Sequence, residues 1–164
     1  MNDPSFWRAE IWHPLSVHFP VAILILATIT QAVALMLRPE SRAFWQKSSS
    51  YLLYLGCLAA WLSIYTGNLA DGIVSRKICD PTVLKDHEIA AYNLAYLFSA
   101  ATTVDLCLQF NFIKTRRTLL QVVVLLLMTV GTFNLIQAGH LGARVVYQQA
   151  GGVNVPAGDC SDYQ

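Results

Sequence analysis

The chain is short of charge. Lys, Arg, Asp and Glu make up 13% of its 164 residues, about half the share usual in soluble domains. Its formal net charge is +1, so it has no global basic field for nucleic acid. It has no acidic tail, no low-complexity tract and no convincing internal repeat. A Gly-rich phosphate loop is missing, and Ser, His and Asp form no hydrolase arrangement, so nucleotide chemistry and triad hydrolysis lack their residues. No Cys-x-x-Cys-His run is present, which leaves covalent c-type haem attachment unsupported.

What the chain has instead is apolar length: 55% of it is hydrophobic. About 20 mainly apolar residues cross a hydrocarbon core as a helix. Four stretches qualify, at residues 15–37, 51–69, 89–112 and 118–138. The expected fold is all-α: one integral membrane domain over residues 1–164, an up-down four-helix bundle, with a short tail at 148–164. Ala32-Val33-Ala34 looks like a signal-peptide cleavage site. Asp3, Arg8 and Glu10 before it spoil the positive n-region, so the segment is expected to be a retained span.

Basic residues concentrate in two connections: Arg38, Arg42 and Lys47 after the first span, and Lys114, Arg116 and Arg117 after the third. Basic loops stay in the cytoplasm. The expected protein is multi-pass in a bacterial inner membrane, with both termini on the periplasmic side.

The four histidines are His13, His18, His87 and His140. This topology brings all of them to the outer end. Neutral imidazole is the commonest metal ligand. One arrangement is a b-type haem near the outer face, held by two of His18, His87 and His140, with Arg144 one helical turn from His140 for a propionate. A compact site of His13, His18, His87 and His140 would instead suit copper or zinc. Taken singly, each histidine is an ordinary interfacial residue and Arg144 an ordinary helix anchor.

Cys79 and Cys160 both fall on the outer side and are a candidate disulfide. Cys57 and Cys107 lie within spans, as packed thiols. Asp105 is the acid deepest in a span, expected to snorkel inward or pair with Lys114 or Arg116. Trp7, Trp12, Tyr65, Tyr92, Tyr96 and Tyr147 form an outer aromatic belt.

The run His13-Pro14-Leu15-Ser16-Val17-His18-Phe19-Pro20 resembles the opening of a bacterial family of small predicted membrane proteins of unknown function. Those proteins have four spans and begin His-Pro-x-x-Val-His-Phe-Pro. His87 ahead of Ala90 and Asn93 is similar to a second family element. Gly139-His140-Leu141-Gly142-Ala143-Arg144-Val145-Val146-Tyr147 is similar to its Gly-His-x-Gly-Gly-x-x-Val-Tyr ending, with Ala143 where the family favours glycine. By analogy the resemblance implies a link to redox bundle cytochromes.

Three functions follow. The first is a membrane electron-transfer subunit that exchanges electrons with quinone and with other membrane or periplasmic redox proteins. The second is a non-enzymatic structural or assembly subunit of a larger membrane complex. The third is a copper- or zinc-binding membrane protein. All three have the lipid bilayer as partner.

Overall fold

A computed structural model describes residues 7–110, 112 and 116–153. Among the described residues the only regular elements are helices: α1 (Ala9–Ser16), α2 (His18–Met36), α3 (Pro39–Val74), α4 (Pro81–Gln109) and α5 (Arg117–Gln149). α1 and α2 are nearly continuous, parted at Val17. Pro20 has no N–H to offer the Ser16 carbonyl, which loosens the ladder at that joint.

Sequence punctuation sets the other ends. Arg38 leads into Pro39 at the first position of α3, where a missing N–H costs nothing. The Arg42 guanidinium then donates back to the Leu35 and Leu37 carbonyls, covering the exposed end of α2. Asp80 caps α4: the Thr82 hydroxyl and amide donate to its carboxylate at 2.6 and 3.0 Å. Those bonds hold the Asp80 carboxyl below the usual carboxylate range.

Among the described residues, three helical segments are long and apolar enough to cross a membrane: Ala9–Met36, Pro39–Val74 and Arg117–Gln149. α4, which carries the third of the four expected spans, falls outside that set although it has 29 residues. Asn93, Thr102, Thr103 and Asp105 dilute its apolar run. The helices also outrun the expected spans, most clearly in α3, which begins at Pro39 rather than near Tyr51. Helical propensity continues through Ser41–Ser50 after hydropathy has faded.

α2 packs on α3 and α5, and α4 packs on α3 and α5, closing a ring in which α2 and α4 are diagonal. α1 extends α2 along α3. The core is built from small residues around a few large ones: Ala27, Ala60, Ala101 and Ala138 beside Leu24, Leu53, Phe98 and Met128. Small side chains let helices approach closely where lipid supplies little hydrophobic drive. The outer faces are apolar as well, with Leu58, Leu62, Leu126, Phe133 and Ile136 exposed. A helix apolar on all sides suits lipid rather than water.

Asp105 is buried and accepts the Tyr54 hydroxyl of α3. The expected inward snorkel of this carboxylate is therefore replaced by a bond inside the ring. Lys114 lies outside the described residues.

Candidate functional site

The site lies at the end of the ring where α1 and α4 begin and α3 and α5 finish. His13 sits on α1, and its Nδ1 lies 2.9 Å from the Ser63 carbonyl of α3. His87 sits on α4, and its Nδ1 lies 2.9 Å from the Ala138 carbonyl of α5. A carbonyl oxygen only accepts, so Nδ1 is the donor in both rings. Each Nε2 then keeps its lone pair, the tautomer of metal-bound histidines backed by a carbonyl.

The two rings meet across the diagonal. Their centroids are 5.9 Å apart and their planes stand at 71°. Both side chains are partly buried. A second bond, Ser16 Oγ to Thr66 Oγ1 at 2.8 Å, fastens α1 to α3 beside His13.

Two glycines make room for the rings. A Cβ on Gly67 would stand 3.1 Å from the His13 ring, and one on Gly142 would stand 3.1 Å from the His87 ring. Beyond the pair, Val74, Val83 and Val145 form a small apolar cluster with Ile78 and Leu84. On the other side lie Ala90, Leu94 and Ala138 of the main core. One turn before His13 on α1, Glu10 is buried and paired with Arg8, so the imidazoles have polar as well as apolar neighbours.

The structure brings together His13 and His87, and leaves His18 and His140 apart. His18 is exposed. It follows His13 by five residues, which turns it roughly 140° around the helix at 3.6 residues per turn. His140 is also exposed, two residues and so about 200° on from Ala138. Arg144 donates its Nε to Gln148 Oε1 at 3.1 Å, along its own helix.

Among the described residues no group of three or more His, Cys, Asp or Glu side chains converges to hold a metal ion. Cys79 is exposed. The expected disulfide to Cys160 lies outside the described residues. Cys57 is buried and Cys107 half-buried. Of the aromatic residues, Tyr92 and Tyr96 stack at 6.1 Å beside Trp61, and Asn68 donates to the Tyr92 hydroxyl.

The sequence reading does not single out Gly67, Gly142, Ser63 or Ala138 as parts of a histidine site. The available signal is a spacing: Gly56 and Gly67 are eleven residues apart, as are Gly131 and Gly142.

A comparison with family models matches residues 11–155 to the family described as predicted membrane protein (DUF2231). The chain belongs to that family. No curated protein and no solved structure matches it.

Proposed function

We propose that this family member is a four-span membrane redox protein that binds a b-type haem between His13 and His87. The observation that carries the reading is the histidine pair itself, with both Nδ1 atoms engaged by carbonyls and both Nε2 atoms left as donors of a lone pair. His13 and His87 would hold the group, and their ring centroids lie 5.9 Å apart, close enough for both imidazoles to reach one metal ion.

The number of ligands favours haem over a lone ion. Haem iron needs only two protein ligands, whereas zinc sites use three or four. The described residues offer a pair. Ser63 and Ala138 orient the rings, and Gly67 and Gly142 seat them. A bound haem would supply one-electron transfer, with quinone or another membrane or periplasmic redox protein as partner.

In this reading α1–α2, α3, α4 and α5 cross the bilayer as an up-down bundle. α4 crosses with Asp105 turned inward. Arg38, Arg42, Arg116 and Arg117 lie at the end opposite the histidine pair, so the pair and both termini face the periplasm.

The test is purification in mild detergent from haem-supplied cells. Oxidised and reduced absorption spectra with a low-spin Soret band and redox-dependent visible bands support the reading. A colourless protein with full haem supply contradicts it. Stoichiometric copper or zinc in the same sample would move the assignment to a lone metal ion. Neither haem nor metal, with stable co-purifying subunits, would leave an assembly role.

A further inference from the structure

The glycine spacing on α3 and α5 is matched by what the glycines touch. A Cβ on Gly56 would meet Leu24 at 2.5 Å, and one on Gly131 would meet Phe98 at 2.9 Å. Eleven residues on, Gly67 meets His13 and Gly142 meets His87. His13 and Leu24 are themselves eleven residues apart, as are His87 and Phe98. In each set the carbonyl bonded to the histidine lies four residues before the glycine, Ser63 before Gly67 and Ala138 before Gly142.

Burial follows the same two shifts, seventy-four residues on the first helix of each set and seventy-five on the second. Ala27 corresponds to Ala101, Gln31 to Asp105 and Leu53 to Met128, and all six are buried. Helix packing repeats too. α2–α3 and α4–α5 are the two principal pairings, and α2–α5 and α3–α4 are lesser ones of similar extent.

We infer that the chain is a fusion of two copies of one helical hairpin, α1–α2–α3 and α4–α5, and that the His13–His87 pair is a symmetric site on the twofold axis between them. Both histidines enter from the same end, so the repeats are parallel and their axis runs along the helices. The repeat corrects the expectation of a chain without internal symmetry. It escapes the sequence because identity survives at few positions while burial survives at many.

The symmetry also bounds the ligand. It must present two equivalent faces to two imidazoles, as a metal centre does. The repeat itself stands without haem; the identity of the ligand rests on the reading proposed above.

The experiment compares Gly67→Ala with Gly142→Ala in ¹⁵N-labelled full-length protein, first without haem and then titrated with ferric haem. In the haem-free wild type, both imidazoles should give the Nδ1-protonated tautomer. Gly67→Ala should disturb the His13 signal more than the His87 signal, and Gly142→Ala the reverse, by matching amounts. Each should then weaken haem binding by about tenfold or more, and by similar factors, as loss of support around a ligand does. Gly72→Ala and Gly139→Ala, whose added Cβ atoms meet nothing within 4 Å, should change neither readout.

A large effect from one glycine and none from its counterpart overturns the symmetric site. Matched imidazole responses without haem uptake by the wild type retain the repeat and remove haem. If a glycine variant fails to fold, His13→Gln and His87→Gln carry the same comparison: equal losses of haem affinity support the symmetric site, and unequal losses overturn it.

Discussion

Tyr54 on α3 donates its hydroxyl to the Asp105 carboxylate on α4, with Oη and Oδ2 2.5 Å apart. The bond secures a buried acid on the helix least apolar of the long four. Tyr54→Phe should strip the carboxylate of its donor and lower stability by about 1–2 kcal/mol, the upper range for hydrogen bonds between membrane helices. The double change Tyr54→Phe with Asp105→Leu should recover most of that loss, because no polar group is then left unpaired. Unfolding in detergent measures both. A double variant less stable than Tyr54→Phe alone would contradict this account of Asp105.

Gly56 and Gly131 separate packing from helix propensity. Their added Cβ atoms would fall 2.5 Å from Leu24 and 2.9 Å from Phe98. Overpacking of a close interface costs about 1–3 kcal/mol, so Gly56→Ala and Gly131→Ala should both destabilise. At Gly72 and Gly139 the Cβ has open space, and alanine should gain up to about 1 kcal/mol of helix propensity. Thermal unfolding of the four variants should split them into these two pairs.

The cap of α4 should be sensitive to acid. The Thr82 bonds lower the Asp80 pKa from its ordinary 3.8. A depressed folded-state pKa gives stability that is present above the unfolded value and lost as pH falls through the folded one. The protection factors of amides in the first turn of α4, exchange rates divided into their intrinsic rates at each pH, should therefore fall as the pH drops below 3.8 and stay flat near neutrality. In Asp80→Asn the acid step should vanish. An unchanged acid step there would assign it to another group.

The helical content and the apolar segments were legible because hydropathy over twenty residues is a strong signal. The reach of α3 back to Pro39 was not, since Ser41–Ser50 is polar yet helical. The common depth of the four histidines was legible from topology. Which of them meet was not, because a pairing depends on rotation about each helix. His13 and His18 share an end but not a face. Gly67 carries no local sign of a ring in the sequence, because the His13 imidazole it faces belongs to another helix. Asp105 reads as a surface-seeking acid in the sequence because its partner, Tyr54, is fifty-one positions away.

The proposed function makes His13 and His87 together the holders of a haem. Its most direct measurement is the oxidised and reduced absorption spectrum of haem-supplied protein carrying His13→Ala, His87→Ala, His18→Ala or His140→Ala. Either of the first two should abolish the low-spin haem bands, and the last two should leave them intact. Bands that survive both His13→Ala and His87→Ala, or that disappear with His18→Ala or His140→Ala, would contradict it.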